Sequence, residues 1–353
     1  MLVSTSQRMN GFAVSTAGTL VLLTYDGNVD TISLKPTDGG AERFLYNSAT
    51  GTGIQNAQLS PDNTQIAFLE GGAAGYDLLV IPTSGAATPR RASPMRASAT
   101  NLLNAADFSF SPDSRYLAVS GDFTVNTIFE LHVFDLSTGV RAALVTATNA
   151  TTGGGAFEFG WTNTGQVVVR AALNGAPPRL QLCTVTGTCT PLPGTTTTST
   201  VSSLALSPDG TFAVYASNER GVTSAYDLYR VPSAGGTPVR LVADVPTGWR
   251  PMADSLVISP NGQWVTTFTT AALYVFSTAG GSPLTQLFVP ANTVGIFGPA
   301  FSPTSTALAF RSDIVLDGSY DVYRLVDFTT AGQTPILLQY TQGGNISELR
   351  WTP

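Results

Sequence analysis

Leu206-Ser207-Pro208-Asp209-Gly210-Thr211-Phe212-Ala213-Val214-Tyr215-Ala216 reads as a strand end, a tight turn and a second strand. Proline at the second turn position and glycine at the fourth suit a type I turn, with the Ser and Asp side chains capping local amides. The phrase recurs as Leu59-Ser60-Pro61-Asp62-Asn63, Phe110-Ser111-Pro112-Asp113-Ser114, Ile258-Ser259-Pro260-Asn261-Gly262 and Phe301-Ser302-Pro303-Thr304-Ser305. Degenerate copies stand at Val14-Ser15-Thr16-Ala17-Gly18 and Trp161-Thr162-Asn163-Thr164-Gly165, and Trp351-Thr352-Pro353 ends the chain. The aligned Ser/Thr positions are 15, 60, 111, 162, 207, 259, 302 and 352, so the steps run 45, 51, 51, 45, 52, 43 and 50 residues. A period in that range marks a repeat architecture.

Within one unit the pattern continues. After Thr211–Ala216 comes a polar loop, then Tyr226–Val231 as a third strand, a turn at Ser233-Ala234-Gly235-Gly236, and Pro238–Val242 as a fourth. Third strands recur at 76–81, 129–134, 272–276 and 320–325, and almost no stretch has a 3.6-residue apolar period. A four-stranded sheet cannot bury two faces alone. Sheets set radially about an axis bury each other, which is the logic of a propeller. The expected fold is therefore all-β: a seven-bladed β-propeller of four-stranded antiparallel blades, one domain over 1–353. Its units fall near 9–50, 54–95, 104–149, 154–195, 201–245, 253–290 and 297–340, with 346–352 as a closing strand that joins the first blade and shifts residues 1–16 outward. The rival is the start of an eighth blade.

The Ser-Pro-Asp-Gly turn, followed by a Gly-Tyr-Asp or Gly-Ser-Tyr-Asp lead (75–77, 318–321) into a strand rich in Leu, Val and Tyr, resembles the TolB-type propeller repeat. That family is related to WD-repeat propellers and to the propeller caps of prolyl-oligopeptidase-like enzymes. The resemblance spans nearly the whole chain and implies fold rather than activity. Ala17 and Thr164, in place of the turn Asp, depart from it.

Composition narrows the function. Charged residues make up 11% of 353, well under the usual quarter, and the net charge is −6. Lys35 is the single lysine, so clustered phosphate neutralisation is not expected and no nucleic acid partner is assigned. The basic cluster Arg90, Arg91 and Arg96 reads as a solvated strand end, with an anionic-ligand patch as the alternative. No apolar run approaches the ~20 residues that span a bilayer, and Met1–Ser6 lacks the basic start and apolar core of a leader. Cys183 and Cys189 flank a five-residue turn between strand-like runs, and face each other closely enough for a disulfide. A disulfide implies an oxidising compartment, periplasmic or extracellular.

Catalytic signatures are few. The one histidine, His132, aligns with Tyr229, Tyr323, Tyr274 and Leu79, so it fills a packing slot. No Gly-x-Ser-x-Gly elbow occurs. Asp26-Gly27-Asn28-Val29-Asp30 begins like a calcium loop but lacks its sixth-position glycine and twelfth-position carboxylate, and reads as a turn. Glu158, Asp107, Asp254 and Glu348 lie at inner-strand starts and could line the channel as general acids or as hydrated polar groups. The loops joining fourth to next first strand, and second to third, share the face around the channel mouth, where binding residues gather. Trp249 and Arg250 are the leading contact residues, as Trp and Arg dominate binding hot spots. Phe297, Asn101, Asn104 and Glu158 accompany them. The expected function is a non-catalytic extracytoplasmic scaffold for a protein or envelope polymer, a monomer with neither cofactor nor metal. The alternatives are a polysaccharide hydrolase or lyase using channel carboxylates, and an adhesive module of a larger envelope protein.

Overall fold

A computed structural model describes residues 8–339 apart from 15–18, 26–28, 37, 73–74, 86–87, 96–106, 126, 147–154, 196–198, 220–224, 243–244, 246–248, 253–254, 270–271, 282–284, 289–294, 313–319 and 330–333. It contains 28 strands in seven four-stranded sheets, each an antiparallel meander of consecutive strands. The first strands β1 (Arg8–Val14), β5 (Gly53–Leu59), β9 (Phe108–Phe110), β13 (Gly155–Trp161), β17 (Val201–Leu206), β21 (Val257–Ile258) and β25 (Ile296–Phe301) begin blades 1 to 7 in order. β1 lies beside β5, β13 beside β17, β17 beside β21, and β21 beside β25. First strands therefore surround the axis and fourth strands form the rim.

The period-two alternation of each strand feeds two different cores. On β18 (Phe212–Ser217), Val214 and Ala216 pack towards blade 6, while Ala213 and Tyr215 pack towards blade 4. On β10 (Tyr116–Gly121), Leu117 and Val119 face blade 2 and Ala118 faces blade 4. The apolar residues fall into clusters that each straddle one pair of neighbouring blades, from 1 and 2 through 6 and 7. Among the described residues every core cluster is shared by two blades, so the sheets are stable as a set.

The repeated turn closes as its sequence demands. Gly210 N–H donates to Ser207 O at 2.8 Å. The Ser207 hydroxyl donates to Asp209 Oδ1 at 2.6 Å and accepts the amides of Thr211 and Phe212 at 3.1 and 3.0 Å. Asp209 Oδ1 also takes the Thr211 amide at 3.1 Å. In the degenerate fourth unit, the Thr162 and Thr164 hydroxyls lie 2.9 Å apart and Thr162 accepts the Gln166 amide at 3.0 Å, so threonine serves where Asp is missing. The fourth turn residue is left-handed in each described copy: Asn63 (φ 59°), Ser114 (60°), Gly165 (76°), Gly210 (67°), Gly262 (71°) and Ser305 (56°). Those turns also join blade to blade. Asp62 N–H donates to Ser114 Oγ and Asn261 N–H to Ser305 Oγ, both at 3.0 Å, and Asn163 N–H to Gly210 O at 3.0 Å.

Blade 1 takes all four strands from its own unit: β1 pairs with β2 (Thr19–Tyr25), then β3 (Asp30–Pro36) and β4 (Arg43–Asn47). The expected outward shift of residues 1–16 is thus corrected for 8–14, because β1 itself holds the inner position. The closing strand 346–352 lies outside the described residues. Cys183 and Cys189 form the expected disulfide across the hairpin of β15 (Arg179–Cys183) and β16 (Cys189–Pro191). No helix among the described residues is long and apolar enough to cross a membrane.

Candidate functional site

The face opposite the repeated turns carries the varied loops, and the inner strands are irregular there. Pairing registers slip between Gln55 and Gln58, Ala156 and Phe159, Val201 and Ser203, and Phe297 and Ala300. A bulge re-aims side chains at a strand end. In blade 7 the slipped residues are Gly298, left-handed at φ 54°, and Pro299, which has no N–H to give to the ladder. Phe297 is consequently turned out, 37% exposed. Its ring stands edge-on to Tyr320 at 5.0 Å and to Phe268 at 6.2 Å.

The loop between blades 5 and 6 extends this patch. Met252, 41% exposed, is fixed by its amide bond to Phe268 O at 2.9 Å. Arg250 is exposed, with its guanidinium carbon 5.0 Å from the centre of the Tyr226 ring. Arg250, Met252, Phe297 and Tyr320 thus form an arc of cation, thioether and rings along one side of the mouth. Trp249 corrects its expected role as a surface contact, since only 6% of it is exposed. Its indole meets Tyr274 and Phe276 edge-to-face at 5.7 and 6.0 Å, and its carbonyl accepts the Tyr226 amide at 3.0 Å. It anchors the loop that presents Arg250.

Glu158 is also not a free channel acid. It pairs with Arg170 Nε, and the two side chains are 12% and 8% exposed. The Arg170 guanidinium sits 4.2 Å above the Phe157 ring and donates to Val201 O of blade 5 at 3.5 Å. Asp107 lies exposed at the start of β9. Asn101, Asn104, Asp254 and Glu348 lie outside the described residues. Asp30 points inward and accepts the Ile54 amide of the next blade at 2.6 Å, while Asp26, Gly27 and Asn28 are outside the described residues. The arginine cluster is divided: Arg91 pairs with Asp77 at 2.7 Å, Arg90 lies 5.8 Å from the Phe134 ring, and Arg96 is outside the described residues.

Sequence reading missed several buried acidic groups, Glu130 and Asp122 among them. Glu130, 2% exposed, receives the Thr124 amide at 3.0 Å and lies 2.9 Å from His132 Nε2. Burial works to raise its pKa, but the His132 and Thr124 bonds outweigh it and hold the carboxyl below its ordinary range. Asp122 beside it, 3% exposed, is pushed up by burial, against the Thr127 amide. The signal was present: Glu130 aligns with Asp77, Asp227 and Asp321 at the start of third strands. Two of those hold the outer strand, Asp77 through Arg91 and Asp227 through Arg240 at 3.1 Å. Among the described residues, no group of three or more His, Cys, Asp or Glu is placed to hold a metal ion.

No protein-family model matches the chain. No curated protein matches it in sequence. Solved structures do match in shape. A prolyl endopeptidase is 13% identical with a TM-score of 0.62 over 94% of this chain and 49% of its own, so the chain spans about half of that enzyme. An oligogalacturonate lyase in complex with manganese is 15% identical with a TM-score of 0.54, over 88% of this chain and 87% of its own. TolB from Acinetobacter baumannii is 19% identical with a TM-score of 0.43, over 77% of this chain and 64% of its own. At such identities shape is the shared property. By its repeat and its fold the chain is a seven-bladed β-propeller.

Proposed function

We propose that the chain is a non-catalytic binding scaffold, working outside the cytoplasm, that presents the arc of Arg250, Met252, Phe297 and Tyr320 to a protein or envelope-polymer partner. The observation that carries this reading is Phe297, a large aromatic held over a third exposed by a strand bulge at the channel mouth. Exposed rings beside an arginine supply apolar area and a charge at low entropic cost, as hot spots require. Glu158, a candidate channel acid by its sequence position, supports the same reading because Arg170 holds it. The Cys183–Cys189 bond favours an oxidising compartment.

The test is capture from an envelope extract by wild type and by Phe297→Ala/Arg250→Ala. Loss of a defined partner from the variant supports the reading; equal recovery of every partner rejects the arc as the site. Incubation with oligogalacturonate forms the second arm. New chain ends that vanish in Asp107→Asn would replace the scaffold reading with a polysaccharide-cleaving one.

A further inference from the structure

On the turn face, aromatic side chains fill several seams between blades, from the residue before a turn Ser/Thr and the residue five after the Ser/Thr of the preceding blade. At the seam of blades 3 and 4 these are Trp161 and Tyr116, stacked at 6.4 Å. At blades 6 and 7 they are Phe301 and Trp264, both packed on Phe328 at 5.1 and 5.8 Å. Phe212 serves blades 5 and 6, and Phe110 serves blades 2 and 3. Blades 4 and 5 close differently: Leu206 sits so near Gly160 that an added Cβ would meet it at 2.8 Å. Before the turn of blade 2 stands Leu59, an aliphatic side chain where blades 3, 4 and 7 carry Phe110, Trp161 and Phe301.

A cavity of about 490 Å3 lies at the seam of blades 1 and 2, floored by Leu34 and Leu59 and rimmed by Glu42, Arg43, Asn63 and Thr83. Its size is that of a small-molecule site. Arg43 spends one amino group on Thr83 O across the seam, leaving further donors of its five. Glu42 beside it is exposed. The rim thus offers one charge of each sign over an apolar floor.

We infer that this cavity is a ligand site for a free aromatic amino acid, whose ring takes the place that Trp161 or Phe301 fills in other seams. Its ammonium would pair with Glu42 and its carboxylate with Arg43.

Titration calorimetry with L-tryptophan tests this, alongside the capped N-acetyl-L-tryptophanamide. Wild type is expected to bind L-tryptophan saturably with a Kd of about 0.5 mM, and the capped analogue at least about tenfold more weakly. Leu59→Trp, which plugs the seam, should lose binding and melt higher. Glu42→Gln should weaken binding about tenfold in a fold that is unaltered. Absence of saturable binding by wild type, equal affinity for the capped compound, or an unchanged Kd in Glu42→Gln would each overturn the assignment. Phe297→Ala should leave this binding intact, so the result is separate from that at the channel mouth.

Discussion

Replacing Arg170 with methionine isolates the energetics of the inner ring. Arg170 is 7% exposed, its charge is matched by Glu158, and its guanidinium covers the Phe157 ring. Removing one partner of a buried pair leaves the other charge without compensation, which costs about 3–5 kcal/mol. Unfolding entropy of about 2.1 cal/mol/K per residue, over 353 residues, converts that to a drop in Tm of about 4–7 °C if the ring melts as one unit. Glu158→Leu/Arg170→Met removes both charges and should recover most of the loss, because a hydrophobic replacement of a buried pair is often neutral. Thermal unfolding by circular dichroism, with urea midpoints as the second measure, reads both variants. A cost under about 1 kcal/mol for Arg170→Met would show that water reaches Glu158 and would return it to the list of channel acids.

Three further outcomes follow from the turns and the hairpin. Gly210→Ala places a Cβ 2.5 Å from Asn163 N in the preceding blade, whereas the same change at Gly262 meets only the Phe212 ring at 3.7 Å. Both pay the left-handed penalty of about 1 kcal/mol, so urea midpoints should show Gly210→Ala costing at least about twice as much as Gly262→Ala. The Ser207 hydroxyl, against burial, holds Asp209 below the usual carboxylate range, and the Ser137 hydroxyl does the same for Asp135. Their contribution is complete above the unfolded value of about 3.9 and declines as pH falls below it, so melts taken from neutral pH down to pH about 3 should lose Tm on the acid side, less steeply in Asp209→Asn. Cys183→Ala/Cys189→Ala opens a link across six positions and should cost about 2 kcal/mol in chemical denaturation, with dithiothreitol reproducing the loss in wild type.

The fold was legible because its signal is local. Ser207, Asp209 and Gly210 act on amides within five residues, so their spacing is their chemistry. The disulfide was readable for the same reason. The site was less legible because its decisive relations cross strands and blades. Glu158 reaches Arg170 across a register slip that the sequence does not mark. Trp249 reads as an exposed loop tryptophan until the loop is seen folded over Tyr274 and Phe276. Phe297 is exposed because Gly298 and Pro299, next to it, are the residues that break a ladder.

The hydrogen bonds that run from turn to turn have a consequence for how such a ring can change. They tie blade 2 to 3, 4 to 5 and 6 to 7 through main-chain amide donors, Asp62 to Ser114, Asn163 to Gly210 and Asn261 to Ser305. The first and last need the serine hydroxyl, whereas the middle one is main chain at both ends and survives side-chain exchange. One rim therefore carries clasps that hold six of the petals in pairs. On the other rim the ties sit at strand starts, the Ile54 amide on Asp30 and the Ala156 amide on the Phe129 carbonyl, so the loops beyond them can be lengthened, shortened or grafted while the circle keeps its shape.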